Sequence, residues 1–143
     1  MVALTSERNT PFRLGEFRVE AVAAAVKIFG ESLVMRNAAG YLTKGATATG
    51  CVGVGRAERT VDNTAGAAGA LSLEYRVGTC LFANSSAGDL IVIADIGKAC
   101  FIVDDQTVAK TDGTATRSRA GIVEGLETNG VWVRFDEALA RAA

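Results

Sequence analysis

Leu71-Ser72-Leu73-Glu74-Tyr75-Arg76-Val77 is the stretch that decides the fold. Its apolar residues Leu71, Leu73, Tyr75 and Val77 fall on one side of an extended chain, and Ser72, Glu74 and Arg76 fall on the other, the two-residue period of a β-strand with one wet face. Gly78 then leads into Thr79-Cys80-Leu81-Phe82-Ala83, which reads as a mostly buried strand closed by the turn residues Asn84 to Gly88. The same grammar recurs at the C-terminal end. Ala120 to Leu126 and Val131-Trp132-Val133-Arg134-Phe135 are joined through Glu127-Thr128-Asn129-Gly130, and Asn-Gly between two apolar runs is a strong hairpin signal.

Working outward, Phe17 to Val22 alternates apolar with polar and predicts a half-buried strand. Residues 21 to 29 have helical propensity but no N-cap and run into Gly30, so strand and turn are favoured over a short helix. Ser32 to Arg36 predicts a strand ending at the turn Asn37 to Gly40, and Tyr41 to Thr43 predicts a short one. Cys51 to Glu58 reads as a strand whose Gly53 and Gly55 mark bulges or close backbone approach. Asp62 to Gly69 reads as a flexible surface loop, and Ala94 to Lys98 as a single helical turn with glycine near its end. Cys100 to Val103 turns through Asp104-Asp105-Gln106 into Thr107 to Ala109, and only Asp136 to Ala143 reads as a closing helix. About nine short strands at spacings near ten residues, with no long helix and no internal repeat, predict an all-β sandwich or barrel. The predicted organisation is an extended arm over residues 1–16, where Thr10-Pro11 opposes a helix, and a single β domain over residues 17–143.

Composition narrows the chemistry. With 143 residues, the chain has room for one ordinary domain, and with no histidine it cannot build a Ser/His/Asp or Cys/His nucleophile pair. Histidine is also the commonest ligand of zinc, copper and iron. Fifteen basic and sixteen acidic residues are interspersed, without the basic stripe that a nucleic acid or an anionic membrane surface requires. Cys51, Cys80 and Cys100 each sit in an apolar run and read as small buried hydrophobes in a reducing compartment. The first residues lack the long apolar core of a signal peptide, and no run approaches the length of a membrane-spanning helix.

Each remaining motif favours a plain reading. Gly53-Val54-Gly55 lacks the third glycine and the helix of a dinucleotide loop, so it reads as a bulged strand. Asp104, Asp105 and Asp112 do not match a calcium loop and read as solvated turn residues. Asn84-Ser85-Ser86 matches the glycosylation acceptor pattern without a secretory route, and adjacent Asp136 and Glu137 suit a helix N-terminus. No catalytic, cofactor-binding or metal-binding residue is expected, and no cofactor. Two features remain open. Trp132 shares its strand face with Arg134, and that face is either an interaction surface or a second buried layer. The arm, with Arg8, Phe12 and Arg13, is either a frayed terminus or a tether that docks on a partner as an added strand.

Several stretches in order resemble the small bacteriophage capsid cement, or decoration, proteins. These are Arg8-Asn9-Thr10-Pro11, Val34 to Tyr41, Val61-Asp62-Asn63-Thr64-Ala65-Gly66, Asp95 to Val108, Gly121-Ile122-Val123-Glu124 and Val131 to Asp136. Cys51 and Cys100 stand where aliphatic or aromatic residues would be expected. The resemblance implies a β-rich, jelly-roll-like protein, not an enzyme, that binds the outside of an icosahedral head after synthesis in the bacterial cytoplasm. Its implied partners are the phage major capsid protein and other copies of itself, as dimer or trimer, with no nucleic acid and no membrane. Arg8, Asn9, Phe12, Arg13 and Trp132 are the expected capsid or self contacts. A different class of function, a receptor- or glycan-binding β-sandwich module of a virion, would present loops such as Asp62 to Gly69. The scarcity of aromatics counts against it.

Overall fold

The computed structural model describes residues 2–11, 13 and 15–143. Twelve strands lie among the described residues. The first six are β1 (Phe17–Ala21), β2 (Val26–Ile28), β3 (Leu33–Arg36), β4 (Leu42–Lys44), β5 (Val52–Ala57) and β6 (Val61–Asn63). The others are β7 (Ser72–Arg76), β8 (Thr79–Asn84), β9 (Ala99–Ile102), β10 (Thr107–Ala109), β11 (Arg119–Glu127) and β12 (Gly130–Arg134). Two single turns of 3-10 helix, Ala87–Asp89 and Ile93–Asp95, and one short helix, α1 (Glu137–Ala142), complete the chain. The all-β sandwich-or-barrel expectation therefore holds, with more strands than the alternation revealed because several are only three residues long. No helix among the described residues is long and apolar enough to cross a membrane.

Five strands close on themselves. β11 pairs with β12, β12 with β8, β8 with β10, β10 with β9, and β9 back with β11; only the β8–β10 pairing is parallel. Closure removes the free edges that an open sheet would expose. Inside the ring, Phe82, Cys100, Ile102, Val108, Val123, Val131, Val133 and Phe135 form one core, with Phe82 and Phe135 edge to face at 5.8 Å. Val131 and Val133 point inward and Arg134 outward, as the alternation of this run predicts.

The sheet continues beyond the ring through β5. It meets β11 in parallel at Arg119 and Val52, then passes to β7 and the edge strand β1 on one side and to β3 and β4 on the other. The β2–β6 ribbon is a separate small sheet. Val22, Ile28, Val34, Leu42, Val54, Leu73 and Tyr75 form the second core. β3 serves both cores, sending Leu33 and Met35 into the first and Val34 into the second. The glycines of β5 permit this crowding. A Cβ on Gly53 would lie 2.3 Å from the Ala120 carbonyl oxygen, and one on Gly55, at φ +153°, would lie 2.2 Å from that of Arg76. The close backbone approach predicted there is real.

Four local readings change. Asp62 and Asn63, expected as the start of a flexible loop, belong with Val61 to a strand, because Val61 buries against the second core and the Asn63 amide donates to the carbonyls of Ala23 (2.8 Å) and Ala67 (3.1 Å). In β8 only Phe82 is buried, since the other face of that strand is not covered. The β11–β12 hairpin forms, but Gly130 pairs with Glu127 inside the strand and has no positive φ. It is glycine because a Cβ would meet the Phe82 carbonyl oxygen at 2.5 Å. In β1 the period is right and the phase inverted: Phe17 and Val19 face solvent, whereas Arg18 and Glu20 turn inward. Glu20 is held there by Arg36 of β3, whose guanidinium also meets both carboxylate oxygens of Glu137 at 3.1 Å and so ties the edge strand to α1. Asp136 caps that helix by accepting from the Leu139 amide at 3.0 Å.

Candidate functional site

The arm comes first in the chain. Its described residues are exposed and lie in neither strand nor helix, and no ion pair among the described residues joins Arg8 or Arg13 to the body. Asn9 is likewise exposed, and Phe12 lies outside the described residues. The arm is rooted at Glu16. Its carbonyl accepts from the Val77 amide at 2.7 Å, and its carboxylate accepts from Arg76 Nε (3.1 Å) and Nη2 (2.9 Å). The same guanidinium lies over the Phe17 ring, 5.0 Å from its centroid.

Trp132 is half-buried on the outer face of β12, opposite Gly125, and its Nε1 donates to Glu127 Oε1 at 3.0 Å. It borders a cleft of about 460 Å3 shared with Glu16, Glu31, Arg56, Arg76 and Cys80. The structure thus brings Trp132 to the root of the arm at Glu16, and leaves Arg8, Asn9 and Arg13 out in solvent. Arg56 and Arg76 sit directly across from each other on β5 and β7, a like-charge pairing that would be unfavourable alone. Each has its own carboxylate: Glu58 accepts from Arg56 Nη2 at 2.9 Å, and Glu16 accepts from Arg76. The cleft is consequently charge-balanced, with a half-buried indole on one wall.

Burial pushes the Cys80 thiol above its ordinary value, as it does that of Cys51, and drives Cys100, inside the barrel, up to about 12. A thiol held protonated is a poor nucleophile and a poor metal ligand. Among the described residues no three His, Cys, Asp or Glu side chains are placed to hold a metal ion. Asp104 accepts from the Gln106 amide at 2.9 Å, the role of a turn residue.

Two apolar surfaces escaped the sequence reading. One is the outward face of β1, with Phe17 and Val19 on an edge strand. The other is the segment from Leu90 to Ile96, in which Leu90, Val92, Ile93 and Ile96 are exposed and only Ile91 packs into the barrel. The signal for the second was legible: four consecutive apolar residues, Leu90 to Ile93, cannot all enter one core from a single short turn. No family model matches the chain, and no curated protein or solved structure matches it.

Proposed function

We propose that this chain is a bacteriophage capsid cement, or decoration, protein: it binds the outer surface of the icosahedral head and stabilises contacts between major capsid protein subunits. The observation that carries the reading is the exposed arm, rooted through Glu16 at an edge strand that turns Phe17 and Val19 to solvent. Extended, residues 2–15 reach about 45 Å, farther than the width of a domain this size, so the arm can engage a neighbouring molecule. A head filled with DNA strains the joints between capsomers, and a protein that binds only the expanded lattice stabilises that lattice by mass action, with no chemical step. Repeated over many copies, contacts of ordinary size suffice. In this reading the arm, including Arg8 to Arg13, reaches a capsid subunit or a neighbouring copy, and the β body contacts another copy of the chain.

The test removes residues 1–13 and measures cosedimentation with expanded heads of the phage that encodes the chain. Binding is expected to be lost, with the melting midpoint of the domain unchanged. Undiminished binding overturns the arm's role, and the absence of a capsid gene near this one counts against the whole reading.

A further inference from the structure

Leu90, Val92, Ile93 and Ile96 are 42%, 39%, 78% and 46% exposed. Together they expose on the order of 400 Å2, within the range of the largest apolar patch on a typical monomer, which is often a functional surface. Leu90, Val92 and Ile93 border, with Leu126, a shallow hollow of about 510 Å3.

The segment is pinned in this exposed state. Ile91 anchors it in the barrel core, and the Asn84 side chain both donates to the Ile91 carbonyl and accepts from its amide, each at 2.9 Å. Asp95 is buried and accepts from the Val92 amide at 2.9 Å, and the Gly97 amide donates to the Val123 carbonyl at 2.7 Å. An apolar loop free to move would tuck its side chains away. This one is held so that Ile93 stands out.

The charges at its two ends select the occupant. Lys98, with its side chain 66% exposed, lies beside Val123, whose amide donates to the Lys98 carbonyl at 2.9 Å. Its ammonium is 3.7 Å from the Asp95 carboxylate, which Lys110 also approaches at 3.8 Å, so two lysines against one aspartate leave this end with a net positive charge. Glu127 is exposed four residues further along β11, about 13 Å away at the rise of a strand. The apolar segment lies between a positive end and a negative end. Rotation of a second copy by 180° about an axis through the strip sets Lys98 against Glu127 twice, so the pattern complements itself. A standard interface needs about 800 Å2 from each partner; this strip supplies the apolar half, with a polar rim around it.

We propose that the Leu90–Ile96 strip, with Ile93 at its centre, is the surface through which two copies of the chain associate about a two-fold axis. The inference rests on that part of the cement reading in which the β body meets another copy, and it names the surface. Sedimentation equilibrium of the full chain, without heads, from micromolar to sub-millimolar concentration is the test. The wild type is expected to dimerise, and Ile93→Asp to weaken the dimer about thirtyfold or more, as loss of a central anchor does. Ile93→Ser serves the same purpose if the aspartate impairs folding, judged by the melting midpoint at concentrations where the chain is monomeric. Lys98→Glu and Glu127→Lys are each expected to weaken association, and their combination in one chain to restore it. A wild type that stays monomeric, a substitution at Ile93 without effect, or a double reversal weaker than both single ones overturns the proposal. A monomeric wild type whose Ile93 variants lose head binding assigns the strip to the capsid instead. Because the assay contains no heads, failure of the cement reading and failure of this one are separable.

Discussion

Replacing Gly53 by alanine loads the joint between the two cores. β5 and β11 share a single registered pair, Arg119 with Val52, and Gly53 stands where a Cβ would lie 2.3 Å from the Ala120 carbonyl oxygen and 2.8 Å from the Ala120 Cα. Comfortable separation is near 3.5 Å, so the strands must part by about 1 Å. Both obstructing atoms are backbone, which leaves no side-chain rotamer to absorb the overlap. Overpacking costs about 1–3 kcal/mol, and the upper end applies here. At roughly 3 °C per kcal/mol for a domain of this size, the melting midpoint should fall by about 10 °C. Gly88→Ala is the control, since a Cβ there meets nothing within 4 Å and Gly88 has no positive φ. That variant should stay within about 1 kcal/mol of wild type, on the stabilising side. Thermal melts and urea titrations of the three proteins decide the matter. If Gly53→Ala melts with Gly88→Ala, the two strands are not in the close approach that joins the cores, and the account of β5 fails.

Two further outcomes follow from titration and burial. The Asp95 carboxyl is held below its usual range first by the Val92 amide, and then by Lys110 and Lys98; that of Asp89 is held below first by Thr111 and then by Arg117. Their folded pKa values lie below the unfolded ones, so their contribution is complete above about pH 4 and is lost as pH falls through the folded values. Asp95→Asn should therefore be less stable than wild type at neutral pH and converge with it below pH 4 in urea titrations; a constant gap would show that Asp95 does not act through its charge. Thiol titration checks the cysteines. With its pKa near 12, Cys100 leaves on the order of one thiolate in ten thousand at pH 8, so an aromatic disulfide reagent should reach it only after unfolding. Prompt modification of Cys100 in the native chain would place it outside the barrel.

What could be read from the sequence depended on how far each signal reached. Alternation located β7 and β12, because burial there is decided by neighbours in the same sheet, and the Asn-Gly signal placed β11 beside β12. Ring closure was not legible, since it rests on β9 returning to β11 and on two registered pairs between β10 and β8, all far apart in the chain. The phase of β1 was misread for a similar reason. Its apolar residues would ordinarily take the inner face, but Arg36, sixteen residues beyond Glu20, draws that carboxylate inward, and a distant ion pair leaves no mark on local periodicity. Asn129-Gly130 announced the right hairpin through the wrong position, because the glycine answers to Phe82 of another strand. Of the expected contact residues, Trp132 was legible only as standing opposite Val131 and Val133 on its strand, on a face either exposed or buried under a second layer; its half-buried place and its approach to Glu16 required the tertiary fold.

The arm and the Leu90–Ile96 strip differ in what binding costs them. Ordering a free backbone costs about 1–2 kcal/mol per residue, so an arm of a dozen residues gives up well over ten before any contact counts. The strip is already fixed by Asn84, Asp95 and the Val123 pairings, and a partner meets it with little left to order. In the proposed reading, a preorganised surface of modest area therefore brings two copies together before the arm is ordered. On a lattice the balance shifts. Once one surface has fixed the body, the arm searches only the volume within its reach, and its contacts act at a high effective concentration. In the proposed reading this sets an order: strip first and arm second. Calorimetry of the full chain on heads should then show a large unfavourable entropy that disappears when residues 1–13 are removed, whereas dissociation of the dimer by dilution should show a heat-capacity change and little ordering term. The same unfavourable entropy in the arm-deleted chain would place the ordering in the body and reverse the assignment.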